Sequence, residues 1–278
     1  MTALRLLVPI LLVTTACSAN TLDPGSSTSV TATSTSSASS TTRLPVTTIT
    51  NTTSTTLAQP PLAGHIIVVD PGHNGMNWAH SEEINRLVDI GNGTKACNTT
   101  GTATDDGYTE PEFTWAVAQL TSDLLEKAGA SVVLTRPDNE GWGPCIDERA
   151  DVGNRNQASA VISIHADGGP ATGRGFHVIH PAPTSGLTDD IYDDSLRLAR
   201  VLHSSYLTTG MPVADYIAED GFSERDDLGG LNLSDVPAVF LEAGNMRNDQ
   251  DAQLLVSPRF QSAAAGAITE AIIEFLGD

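Results

Sequence analysis

Beyond residue 60 the chain is punctuated by four short apolar runs, His65–Asp70 (HIIVVD), Ser131–Thr135 (SVVLT), Ala160–Ile164 (AVISI) and Ala238–Leu241 (AVFL). Each is rich in β-branched residues and lacks the polar alternation of a strand with one wet face, so each is expected as a strand buried on both sides. Between them, apolar positions recur at three and four. Phe113, Ala116, Val117, Leu120, Leu124 and Ala128 predict a helix ending at Gly129, and Ile191, Leu198, Val201 and Leu202 predict a second that stops at Gly210. Ala264, Ile268, Ile272 and Phe275 predict a third, starting at Ser257 with Pro258 in its first turn. Strands alternating with helices of this length indicate an α/β fold, a three-layer sandwich whose mostly parallel, twisted sheet is flanked by helices. The composition from Gly168 to Asp235 suggests a hairpin and one ordinary helix.

The pattern before residue 60 is different. Residues 1–17 read as an export signal, with Arg5 followed by the eight-residue apolar run Leu6–Val13 and then small residues up to Cys17. Such a run is too short for a permanent bilayer span. A cysteine directly after a small residue at this place resembles the lipobox of bacterial lipoproteins, which implies diacylation of Cys17 and stable attachment to a membrane. Thr14 stands where that motif prefers Leu, and ordinary signal cleavage nearby is the alternative. Residues 18–59 form a Ser/Thr-rich segment, with 24 Ser or Thr among the 39 residues from Ser18 to Thr56. Too little apolar surface is present there to offset ordering entropy, so a disordered tether reaching roughly 35 Å is expected. Residues 60–278 make up the folded domain.

Charge narrows the partners. The formal net charge is -20, and residues 60–278 hold 33 acids against 12 bases, with Lys95 and Lys127 the only lysines of the chain. A nucleic-acid partner needs clustered cations to displace counterions, and is excluded on this ground. The same acidity disfavours adhesion to anionic wall polymers, leaving retention at the envelope to Cys17 and the tether.

Candidate chemistry lies directly after the strands. The first is followed by Pro71-Gly72-His73, the third by His165-Ala166-Asp167 and the fourth by Glu242-Ala243-Gly244. Carboxyl ends of strands are where open α/β sheets place ligand sites. Thr109-Glu110-Pro111-Glu112 has the form of a capping box, in which Glu112 reaches back to Thr109 and Glu110 is free to point elsewhere. Glu110 then either complements the helix dipole or serves as a metal ligand.

Taken together, DPGHNG, the helix start from Glu110, LTR at 134–136, ERxxxxN at 148–154, SIHAD at 163–167 and PAVFLEAGNMRN at 237–248 resemble the zinc-dependent N-acetylmuramoyl-L-alanine amidases of the type-3 amidase family. The resemblance covers residues 64–276 and is greatest to short actinobacterial cell-wall members. It implies one Zn2+ per chain held by His73, Glu110 and His165, with Glu242 catalytic. Two imidazoles and one carboxylate with a fourth position open also suit a hydrolytic rather than a structural zinc site. The implied reaction is cleavage of the amide between N-acetylmuramic acid and the L-alanine of the peptidoglycan stem peptide by zinc-activated water, with Glu242 as general base. Asp167 stands where the family usually has Asn. Arg136, Arg149 and Asn154 match family positions read here as structural, and Asn248 is expected to cap the following helix. His80 falls in a long segment where substrate contact is one reading, whereas His177, His180 and His203 have no motif support; His180 is expected in a solvated loop, with lining of the cleft as the alternative.

Cys97 and Cys145 remain once Cys17 is set aside. In an exported protein an even pair favours a disulfide, here closing a 49-residue loop. The expected protein is a monomer of the cell envelope acting on peptidoglycan, without an autoinhibitory helix. The alternatives are a non-catalytic peptidoglycan-binding lipoprotein and another zinc hydrolase of cell-wall peptides.

Overall fold

The computed structural model describes residues 59–277. Cys17, the export signal and the tether up to residue 58 lie outside the described residues. The elements run β1 (Ile66–Pro71), α1 (Ser81–Ile84), β2 (Leu87–Asp89), β3 (Thr94–Ala96), α2 (Glu110–Lys127), β4 (Ser131–Leu134), α3 (Ile146–Arg155), β5 (Ala160–Asp167), β6 (His177–Pro181), α4 (Tyr192–Tyr206), β7 (Phe222–Arg225), α5 (Gly229–Asn232), β8 (Ala238–Asn245), α6 (Asp249–Leu255) and α7 (Pro258–Gly277).

Six strands form one sheet in the order β4-β1-β5-β8-β6-β7, and β2 and β3 pair separately as an antiparallel hairpin. β4, β1, β5 and β8 run parallel, β6 is antiparallel to β8, and β7 is parallel to β6. The sheet is therefore mostly parallel, and its four apolar runs are the four central and edge strands expected from the sequence. One face carries α2, α4 and α7 over the larger core, in which Phe113, Val117, Leu198, Leu202, Ile268 and Ile272 are fully buried. Ala264, Ala265, Ala267 and Ala271 keep the buried side of α7 thin, so that it can lie between α2 and α4. The opposite face is covered by α3 and α5 over a smaller cluster that includes Val68, Val161 and Leu231. No helix among the described residues is long and apolar enough to cross a membrane.

Local signals account for the helix ends. Glu112 accepts the Thr109 backbone N–H at 2.8 Å, closing the capping interaction that starts α2. Gly129 (φ +99) and Gly210 (φ +86) adopt left-handed backbone at the two predicted stops, a conformation that L side chains resist. Asn248 caps α6 by accepting the backbone N–H groups of Gln250 and Asp251. Cys97, just after β3, is disulfide-bonded to Cys145 at the start of α3, with Cα atoms 4.3 Å apart. The bond ties the β2–β3 hairpin to the layer over the smaller core.

Two expectations fail between Gly168 and Asp235. The hairpin is not formed: β6 and β7 are parallel neighbours, and parallel strands need a crossover, here α4, rather than a tight turn. α4 buries Leu198, Ala199, Leu202 and Tyr206, so the crossover is held by the larger core. His180 does not lie in a solvated loop. It sits in β6, an inner strand flanked by β8 and β7, and is 4% exposed.

Candidate functional site

The rim at the carboxyl ends of the parallel strands carries the chemistry. β1 ends at Pro71, and the chain turns through Gly72 into His73, whose φ of +58 is left-handed and strained for a non-glycine residue. The turn is overdetermined by its surroundings. Gly72 N–H donates to the Ile164 carbonyl at 2.9 Å, and Arg149 Nη2 donates to the His73 carbonyl at 2.7 Å. A Cβ at Gly72 would stand 2.3 Å from the His165 ring, so only glycine lets the two histidines approach.

β5 supplies His165, and register across the parallel pair places Glu242 of β8 directly beside it. The register shifts between His165 and Asp167, an irregularity of the kind that re-aims side chains at sheet rims. Glu110 comes from the first turn of α2. Arg136, 1% exposed, fixes that turn against the sheet by donating from Nε to the Pro71 carbonyl at 2.9 Å and from Nη2 to the Pro111 carbonyl at 3.1 Å.

The inward atoms of His73, Glu110 and His165 lie within 4.8 Å of one another. His73 Nε2 is 3.2 Å and His165 Nδ1 2.9 Å from Glu110 Oε1. Zinc bonds of about 2.0–2.1 Å at a tetrahedral angle put ligand atoms about 3.3 Å apart, so this spacing fits one ion. The tautomer fits as well. His73 Nδ1 donates to the Thr99 carbonyl at 3.1 Å, which leaves the Nε2 lone pair facing the cluster. Glu110 Oε2 accepts the Thr102 N–H at 3.0 Å and Oε1 accepts the Ala166 N–H at 3.2 Å. Gly101 (φ +74) closes the loop over the cluster, where a Cβ would be 2.9 Å from Glu110 Oε2.

Electrostatics tie the donors to one another. Burial opposes ionisation of Glu110, but the two imidazoles outweigh it and hold the carboxyl far below the usual range. For His73, burial lowers the pKa and Glu110 reverses this, giving a net rise. Glu242 is pushed well above the usual carboxylate range by burial first, then by the charges of Glu110 and Asp167. Its Oε2 is buried without a hydrogen-bond partner. Arg225 opposes this repulsion but does not outweigh it, and a cation held by the neighbouring donors would add the missing positive charge.

A groove of about 300 Å3 opens over these groups and is also lined by Thr99 and Asp167. Asp167 is held by the Tyr216 hydroxyl, which donates at 2.9 Å. A more enclosed, largely apolar cavity of about 280 Å3 shares His73, Thr99 and His165 with the groove and continues to Ile146, Leu228 and Phe240.

All four predicted groups of the centre thus meet at one rim, whereas Glu112 stays at the helix cap. Arg149 and Asn154 serve the scaffold: Arg149 pairs with Asp70, and Asn154 bonds to Leu233 and Asp235. Sequence reasoning missed Thr99 and Thr102, which orient the donors through backbone groups that no residue pattern announces, and Gly101, which leaves them room. It also missed Tyr216, whose role depends on packing against Gly169 and Gly173.

Two imidazoles and a carboxylate beside a partnerless glutamate, at the carboxyl rim of an open α/β sheet, are the donor arrangement of a mononuclear metal hydrolase. Residues 67–274 match the N-acetylmuramoyl-L-alanine amidase family, and the chain belongs to it. It is 40% identical over 216 residues to an N-acetylmuramoyl-L-alanine amidase of Mycobacterium tuberculosis, covering 77% of this chain and 88% of that protein. The crystal structure of an N-acetylmuramyl-L-alanine amidase from Mycobacterium smegmatis superposes with a TM-score of 0.73 at 42% identity, over 78% of this chain and 98% of that one. The apo form of the Mycobacterium abscessus amidase gives a TM-score of 0.73 at 44% identity, over 77% and 100%.

Proposed function

We propose that this chain is a zinc-dependent peptidoglycan hydrolase that cleaves the amide between N-acetylmuramic acid and the L-alanine of the stem peptide. The observation that carries this reading is the meeting of His73, Glu110 and His165 around one ion-sized space, with unpartnered Glu242 beside them, in a member of the amidase family. His73, Glu110 and His165 would hold the zinc. When bound, zinc supplies Lewis-acid polarisation of a carbonyl and acidifies water.

The chain's own groups do the rest. Glu242 removes a proton from the attacking water and returns it to the L-alanine nitrogen as the C–N bond breaks, so no net proton is gained or lost by the protein. The burial that raises its pKa makes it a stronger base than an exposed carboxylate. Arg136, Arg149 and Thr99 keep the donors in place, so little reorganisation is needed as charge develops. Peptidoglycan as substrate implies an exported, cell-envelope protein, and Cys17 would hold it as a lipidated monomer on the outer face of the membrane.

Digestion of purified peptidoglycan followed by mass spectrometry tests the reaction. Free stem peptides beginning with L-alanine are expected, lost on chelation and restored by Zn2+; single amino acids or acetate as products would overturn the proposal. Glu242→Gln should retain zinc by elemental analysis while turnover falls by roughly 10²- to 10⁴-fold.

A further inference from the structure

On a strongly acidic surface, two large aromatic side chains stand out, Trp78 at 69% and Trp142 at 40% exposure. They lie on the segments that follow β1 and β4, at the same rim as the donor cluster, and Trp78 is five residues after His73. The loops are laced together. Met76 N–H donates to the Gly141 carbonyl at 2.9 Å, Gly143 N–H to Asn77 Oδ1 at 2.8 Å, and Asn74 Nδ2 to the Gly143 carbonyl at 3.2 Å. His80 stacks on Trp142 with ring centroids 5.4 Å apart and planes 22° apart. Asn77 Nδ2 donates at 2.7 Å to the Thr99 carbonyl, the group that also accepts from His73.

Scattered exposed apolar residues are ordinary, but aromatic rings on two cross-braced loops contiguous with a catalytic centre are not scattered. The stack of His80 on Trp142 has a physical use, because a ring already held in place loses little entropy when a ligand stacks on it. The apolar C–H face of a pyranose suits such rings, whose negative π faces attract weakly positive C–H groups. N-Acetylmuramic acid with its lactyl carboxyl in amide linkage is uncharged, as is N-acetylglucosamine, so a chain of net charge -20 meets no repulsion there and needs a non-ionic means of holding the strand.

We propose that Trp78, His80 and Trp142 form a stacking platform for the uncharged N-acetylated glycan strand, seating the sugar while its stem peptide lies in the groove. This rests on the amidase reading above and assigns the side of the rim from which the glycan approaches: the edge formed by β4, with the peptide directed toward β5 and β8.

The test separates binding from turnover. Full-length Glu242→Gln protein is co-sedimented with insoluble peptidoglycan sacculi, with and without Trp78→Ala and Trp142→Ala together. The apparent Kd is expected to rise at least tenfold in the double alanine variant and to return within threefold of the parent when both positions are Phe. A Leu207→Ala control, exposed elsewhere, should bind as the parent does. A neutral tetramer of N-acetylglucosamine should compete with sacculi for the parent protein. Unchanged sedimentation of the double alanine variant, failure of Phe to restore binding, or competition by free stem peptide but not by the tetrasaccharide would each overturn the platform. Failure of the amidase reading shows itself separately, as the absence of L-alanine-initiated peptides from wild-type digests, and leaves the sedimentation result decisive for the platform.

Discussion

Asp70→Asn preserves the shape of a buried side chain and removes its charge, which makes it a sharp probe of the scaffold beneath the candidate site. Asp70 is 4% exposed and accepts Arg149 Nη1, Ser163 Oγ and Thr135 Oγ1, each at 2.5 Å. Burial pushes its pKa up, but Arg149 and the two hydroxyls pull harder and leave it at about 2, against 3.8 for the ordinary side chain. At about 1.36 kcal/mol per unit, that difference corresponds to about 2.5 kcal/mol of folding free energy. The folded pKa is the lower one, so this stability is fully present above pH 3.8 and is lost as pH falls toward about 2. The amide also strands the Arg149 guanidinium, itself 5% exposed. Removing one partner of a buried pair costs about 3–5 kcal/mol, which at about 2–4 °C per kcal/mol for a domain of this size lowers Tm by roughly 6–20 °C at pH 7. Calorimetry of both proteins from pH 7 to 2.5 measures it. The gap should narrow below pH 4 as the wild-type carboxylate is protonated; a Tm within about 2 °C at pH 7, or a gap independent of pH, would refute the reasoning.

Gly101→Ala forces a left-handed position to carry a Cβ 2.9 Å from Glu110 Oε2 and 3.0 Å from His73 Cδ2. Zinc affinity, read by competition with a chromophoric chelator, should fall by roughly 10- to 100-fold, and an unchanged affinity would contradict the proposed ligand set. Cys97→Ser opens the 49-residue loop and should cost about 2–5 kcal/mol in denaturant titrations, whereas an unshifted midpoint would show the bridge to be dispensable. Metabolic labelling with an alkyne fatty acid should mark the exported wild-type protein and not Cys17→Ala; equal labelling of both would remove the proposed anchor.

The legible parts of this protein were those whose physics is local. Strands buried on both faces must be apolar throughout, so β1, β5 and β8 could be read directly; β4, equally apolar, is a half-buried edge strand, and a glycine just past a periodic stripe marked the ends of two helices. β6 and β7 were not legible. His177-Val-Ile-His-Pro and Phe-Ser-Glu-Arg carry polar residues that mimic a loop; the burial of β6 follows only from the partners the sheet brings to it, and β7 is a half-buried edge strand. Asn248 and the cap at Thr109 were readable because capping uses residues three or fewer apart.

The donor set was readable in kind and not in arrangement. A histidine or glutamate after each strand marked the rim, and family resemblance separated Glu110 from Glu112 where spacing alone could not. What put the four side chains together was tertiary: register sets Glu242 beside His165, Arg136 ties the first turn of α2 to the end of β1, and Gly72 and Gly101 leave room that any side chain would fill. Short-range patterns fix which backbone a segment prefers, because propensity and capping act over a few residues. The distances between donors depend on contacts tens of residues apart along the chain, and those exist only once the sheet has closed.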